Sequence, residues 1–296
     1  MSNAAEKLPP EDTNNLRQGS VTAFDQNWKE RKETKYNHWV RGTPQNQIQL
    51  AFRSHWNLFN EVLQGRPRQK VLEVGGGRGS LSSYFADNGY DCTLLDTSAA
   101  ILEVAKEIFT ANGHKATYVQ GNALAMEFPD NSFDVITSIG LLEHFEDIDT
   151  PIREQFRVLK PGGTLFAYIV PERPDNVQRY FQWINKGLRV IANAFGFEKK
   201  TAPKSEIFRS DYGSERYLPV LEKLSVKDVL VTGMYPLPMI SHSPEFPFTL
   251  LPKPVEWTLT RIFSGVLALR RVLFGRNPWM CDERLGQAFL ISFRKV

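Results

Sequence analysis

Short apolar runs alternate with amphipathic stretches through the middle of the chain, and this rhythm predicts strands alternating with helices. Lys70-Val-Leu-Glu-Val74 is a compact apolar run, followed at once by Gly75-Gly76-Gly77-Arg78-Gly79. That order reads as a strand entering a tight turn. A helix is expected over Ser80–Asn88 and a second strand over Cys92–Asp96. Ser98 is placed to cap a further helix reaching about Asn112, with Ile101, Val104, Ala105 and Ile108 on one face. Thr117–Gln120 and Phe133–Ser138 read as the third and fourth strands. A helix over Thr150–Leu159 ends at Lys160-Pro161-Gly162-Gly163, and Thr164–Val170 is the fifth strand. Val226–Val231 and Ala288–Phe293 supply two more. The expectation is an α/β fold: a doubly wound, mostly parallel, seven-stranded sheet.

Outside this core the pattern changes. Residues 1–25 are polar and predict a loosely attached N-terminus. Within 26–66, Ile48, Ala51, Phe52, Trp56, Phe59, Val62 and Leu63 fall near helical spacing, so an amphipathic helical segment precedes the first strand. The remainder, 67–296, forms the main domain, with insertions at about 172–212 and 235–285. The second insertion opens rich in proline and continues as a helix over Val255–Phe274, just before the last strand.

Composition narrows the function classes. A formal charge of +3 is too small for a nucleic-acid surface. Two cysteines make no disulfide framework, and a reducing, cytoplasmic setting is expected. The N-terminus carries no signal-peptide stretch, and no apolar run reaches the length of a membrane span. Peripheral membrane contact stays open, as does the choice between monomer and homodimer.

The candidate chemistry centres on the glycine turn. A dinucleotide fingerprint needs Gly-x-Gly-x-x-Gly, but here Ser80 stands where the third glycine belongs. Glu73, two residues before the turn, would repel a pyrophosphate and would attract an ammonium group. Glu73-Val-Gly75-Gly-Gly77-Arg-Gly79 resembles motif I of the class I S-adenosylmethionine-dependent methyltransferases, of the small-molecule type. Further elements follow in that family's order: Asp96 ending the second strand, Gly121-Asn122-Ala123 after the third, Leu141-Leu142-Glu143-His144-Phe145 after the fourth, and Lys160-Pro161-Gly162-Gly163 before the fifth. The resemblance spans Val71–Val170, about a third of the chain.

It implies a Rossmann-like class I methyltransferase fold with 26–66 as an N-terminal lid, and S-adenosyl-L-methionine as cofactor. The implied cofactor residues are Glu73, Gly75, Gly76, Gly77, Gly79, Asp96, Thr97, Asn122, Ala123, Ile139 and Gly140, with Tyr36 and Arg41 from the lid. Asn122 stands where the family commonly has an acid, and its amide oxygen can still accept from the adenine amine. Some relatives bind a metal through Glu-x-x-Glu-His; Gly140 occupies the first of those positions here, so no metal is expected. His144 is the candidate general base, with a merely structural role as the alternative.

The acceptor is expected to be a small-molecule or lipid-like compound, its methylated atom (oxygen, nitrogen, sulfur or carbon) open. Tyr180, Tyr212, Tyr235 and His242 are candidate acceptor contacts. The aromatic stretch from Arg179 to Phe197 and the Val255–Phe274 helix read either as two helices packed together or in a dimer, or as a lid over a lipid-linked acceptor. An NAD(P)-dependent oxidoreductase and a non-catalytic protein on the same fold are the competing functional classes.

Overall fold

The computed structural model describes residues 38–66, 69–194, 208–240 and 251–296. Its centre is an eight-stranded sheet: β1 (Lys70–Val74), β2 (Asp91–Asp96), β3 (Thr117–Gln120), β4 (Phe133–Ile139), β5 (Leu159–Ile169), β6 (Val226–Met234), β7 (Met280–Cys281) and β8 (Ala288–Lys295). The order is β3-β2-β1-β4-β5-β8-β6-β7. The first five strands are parallel, and β6, β7 and β8 pair antiparallel at one side. The helices are α1 (Gln47–Val62), α2 (Ser82–Asp87), α3 (Ala99–Ala111), α4 (Asp149–Val158), α5 (Gln182–Ala194), α6 (Leu218–Leu221) and α7 (Lys253–Phe274).

Two features differ from the pattern-based expectation. The sheet has eight strands rather than seven, because Met280–Cys281 pairs with Gly233–Met234 at the outer end of β6. Two residues are too few to show an alternating pattern. The fifth strand also begins at Leu159, not Thr164. The register jumps from Phe133↔Leu159 to Val135↔Thr164, so Lys160–Gly163 bulges out of a continuous strand. Gly162 supplies the left-handed residue of that bulge, φ +78°.

Strand alternation divides the core into two layers. Along β5, Phe166 and Tyr168 face one layer, while Leu165, Ala167 and Ile169 face the other. The first layer holds α1, α2 and α3 through Trp56, Phe59, Phe85 and Phe109; Phe59 stacks on Phe166 at 4.2 Å. The second holds α4 and α6 through Ile152, Tyr217 and Leu221. Ser98 caps α3 by accepting from the Ile101 amide, as expected. The face that α3 buries is rotated slightly, to Ile101, Leu102, Ala105 and Phe109.

α7 lies along α1, and the two run parallel. Near their N-termini the buried Glu256 carboxylate accepts from the Gln47 amide and side chain. Near their C-termini Arg271 pairs with Glu61 at 3.5 Å. Trp279, just beyond α7, is fully buried and donates to His55 Nδ1 of α1 at 2.9 Å. Burial pushes His55 down to about 3, so it is a neutral acceptor there.

Candidate functional site

Parallel strands deliver their C-terminal ends to one edge of the sheet, and connections there form a crevice where the strand order reverses. In this chain the reversal lies between β1 and β4, and a cavity of about 270 Å³ opens there. Its walls come from the turn after β1, the end of β2, the loop after β3, the loop after β4, and the segment entering α1.

The turn is built by hydrogen bonds that consume its own amides. Gly75 and Gly76 donate to Leu95 O at 2.9 and 3.0 Å, Gly77 donates to Asp96 Oδ2 at 2.9 Å, and Gly79 donates to Gly76 O at 2.8 Å. Gly75 has φ +66°, and a Cβ there would sit 2.8 Å from the Leu141 side chain. Gly77, at φ +50°, would direct a Cβ into open space. Gly79 does not line the cavity. It lets the turn pack on β2 and α3, because a Cβ would meet Leu94 and Phe109 at 2.6 Å each.

Two carboxylates face this turn. Glu73 is buried, and its Oε2 accepts from the amide and hydroxyl of Ser82 at the start of α2. Burial pushes its carboxyl up to about 7; the Ser82 hydrogen bonds oppose that shift and the nearby Asp96 adds to it. Asp96 accepts from Gly77 at one oxygen and from Ser98 N at the other, 3.0 Å. Asp96 lines the cavity with a carboxylate, a group that can accept from ligand hydroxyls. A pyrophosphate would meet two acids and a turn whose amides are already engaged. A cationic, hydroxyl-bearing ligand meets the reverse.

Thr97, Asn122 and Ala123 continue the wall from β2 and β3. Asn122 Oδ1 accepts from Leu124 N at 3.0 Å, which fixes its amide. Across β1, Ile139, Gly140, Leu141, His144 and Phe145 form the wall after β4. His144 is buried, and its Nδ1 lies 2.7 Å from the Phe208 carbonyl, an arrangement that needs the proton on Nδ1 and makes Nε2 the basic nitrogen. Burial lowers its pKa to about 4; the Phe208 hydrogen bond opposes the shift and Arg209 adds to it. His144 is therefore neutral near pH 7. Its neighbour Glu143 is fully buried and pushed up to about 7 by burial, against the pull of Arg209.

The candidate residues thus separate into groups. Glu73, Gly75, Gly76, Gly77, Asp96, Thr97, Asn122, Ala123, Ile139, Gly140 and His144 converge on one cavity. Arg41 does not join them; it is exposed and pairs with Asp87 at 2.9 Å. Tyr180 is solvent-exposed on a short turn of helix, and Tyr212 lies under Arg216 away from the cavity. Tyr235 is packed in the core, 4.6 Å from the Trp279 ring. Tyr36 and His242 fall outside the described residues.

Among the lining residues that were not singled out from the sequence as site residues are Arg78, His38 and Phe52. Arg78 sits inside the turn motif itself and is buried against the cavity. His38 stacks on Phe52 at 4.8 Å, with its Nδ1 2.8 Å from Ser80 Oγ. The position of Arg78 between two turn glycines was a usable signal. Nothing local marks His38 or Phe52, because long-range packing carries them to the site.

Residues 72–167 match the family model of a methyltransferase domain. The chain is 35% identical over 194 residues to the ubiquinone/menaquinone biosynthesis C-methyltransferase UbiE of Pectobacterium carotovorum, covering 62% of this chain and 72% of that one. It is 34% identical over 187 residues to the same-named enzyme of Vibrio campbellii, covering 60% and 67%. A solved structure described by the conversion of a disulfide bond into a thioacetal group during echinomycin biosynthesis superposes with a TM-score of 0.50. It is 16% identical and covers 93% of this chain and 92% of its own, a likeness of fold.

Proposed function

Because this chain belongs to the class I S-adenosylmethionine-dependent methyltransferases, we propose that it methylates a carbon of a small, apolar, ring-bearing acceptor of lipid-like character. The observation that carries this reading is the make-up of the cavity. Acids, amides and the glycine turn occupy its β1–β3 side, while Phe52, Leu141, Phe145 and a neutral histidine occupy the rest. The names of the UbiE relatives, which are carbon methyltransferases of quinone biosynthesis, support the same acceptor class.

The cofactor supplies a methyl group already activated on a sulfonium. Glu73 holds its ammonium, a cation that favours the ionised carboxylate despite burial. Arg78, buried against the cavity, would meet the methionine carboxylate. Asp96 would accept from the ribose hydroxyls, and Asn122 and Ala123 would lie beside the adenine. Phe52, Leu141 and Phe145 exclude water and hold the acceptor ring, so the protein's main work is alignment and desolvation. His144 Nε2 accepts the proton that the acceptor carbon gives up.

The test measures S-adenosylhomocysteine release with reduced prenyl-benzoquinols in detergent beside soluble phenols, amines and amino acids. Turnover confined to the quinols is expected; turnover on amines alone would overturn the acceptor class. With the working acceptor, His144→Ala should lower the rate about 10²-fold or more while cofactor affinity stays unchanged. An unchanged rate would return His144 to a structural role.

A further inference from the structure

α7 has two apolar faces, and only one of them is used. Its inner face is fastened to the protein by Glu256 on Gln47, by buried Thr260 and Leu267, and by Arg270, which donates to the Pro278 and Met280 carbonyls at 3.1 Å. On the outer side Val255, Leu259, Ile262, Val266, Leu269 and Leu273 follow one another at intervals of four, three, four, three and four residues. That spacing draws a single straight stripe along a helix. Five of the six are exposed and Leu259 is half-buried; Ile262 and Leu269 are each 57% exposed. Val272 widens the stripe at 80% exposure, and Trp257 and Phe274 stand exposed near its two ends. From Val255 to Leu273 on this 22-residue helix the stripe runs for about 27 Å. Contiguous exposed apolar surface of this extent on a rigidly held element marks an interaction site.

The charges around the stripe select the partner. Glu256 is the one acidic residue of the helix, and it is buried against α1. The exposed charges on α7 and just beyond it, Lys253, Arg261, Arg271 and Arg276, are all positive. A second copy of the helix would set arginine against arginine, and the exposed Glu61 beside α7 is already paired with Arg271. Paired helices normally carry opposite charges beside such a seam. An interfacial helix has the composition found here: aromatic and aliphatic residues on one face, arginine and lysine around them, and no acid. Among the described residues no helix is long and apolar enough to cross a membrane, so the contact would be peripheral.

We infer that α7 seats this protein on an anionic lipid surface, with the Val255–Leu273 stripe at the acyl boundary and Arg261 and Arg276 at the headgroup phosphates. This goes beyond the acceptor reading and does not depend on it. The test is co-sedimentation of the full chain with vesicles, without cofactor or acceptor. Phosphatidylglycerol–phosphatidylcholine vesicles should carry the protein down, salt should weaken that binding, and phosphatidylcholine alone should retain little. Replacing Val266 and Leu269 together by Glu should cut binding about tenfold or more, since each buried methylene counts. Arg261→Glu should cut it by at least about fivefold, from the loss of one basic group near the surface. Unchanged melting temperature and S-adenosylhomocysteine affinity in these variants would separate the effect from misfolding. Wild-type protein that stays in the supernatant with both vesicle types overturns the inference. A dimer in sedimentation velocity that the Val266/Leu269 double variant dissociates, with no vesicle binding, would assign the stripe to a second copy instead.

Discussion

The two ends of the sheet order are built by different rules. From β1 to β4, the residues that meet at the cavity lie close to the strands that place them. Glu73 is on β1, the glycines follow it directly, Asp96 ends β2, and His144 stands five residues beyond β4. From β5 to β8 the chain returns antiparallel and the connections are long. The elements it carries are fixed by partners remote in sequence, such as Glu256 on Gln47 and Trp279 on His55. The first region builds its part of the cavity from a local motif. The second braces α1, and through α1 it positions Phe52 at the cavity.

Breaking the brace should have the largest effect. Trp279→Ala removes a fully buried indole and its hydrogen bond to His55, and should cost about 3–5 kcal/mol in chemical denaturation. Cofactor affinity of the protein that remains folded should be nearly unchanged; a parallel loss would erase the division between the regions. Next comes the seam between them, where Glu143 O accepts from Ser210 N at 2.8 Å. The Glu143 carboxyl titrates near 7 in the folded protein and near 4.5 when unfolded. Between those values the folded form keeps a proton that the unfolded chain has released, so this group removes stability as pH rises. Glu143→Gln lacks that titration. Its stability relative to wild type should increase by up to about 1.4 kcal/mol per pH unit across that window and level off above it. A difference flat with pH would mean that Glu143 ionises normally.

Within the cofactor region, Asp96→Ala should weaken S-adenosylhomocysteine binding by about 1–3 kcal/mol in calorimetry. Unchanged affinity would sink the ribose assignment. The smallest effect is expected at Arg41, whose exposed pair with Asp87 should contribute less than about 1 kcal/mol. Arg41→Ala should leave cofactor affinity unaltered, and a clear loss would restore Arg41 to the site in place of Arg78.

Most of the cavity wall from β1 to β3 was legible in the sequence because its information is local. A strand, a glycine turn and an acid about 20 residues on are adjacent features, and the strand order carries them to one edge. The wall that α1 contributes was not legible in the same way. Tyr235 looked like a pocket residue, yet it is packed beside Trp279, 44 positions away in the chain. His38 and Phe52 reach the cavity only because α1 lies across the sheet.

The sequence by itself determined the alternation of strands and helices, the glycine turn, Asp96 and His144, since backbone period and turn chemistry act over a few residues. Tertiary structure alone decided the eighth strand, that Arg78 and His38 line the cavity while Arg41 does not, and which apolar face of α7 is buried. On a helix with two apolar stripes, periodicity marks both alike. Only the position of α1, with Gln47 waiting for Glu256, settles which one turns inward.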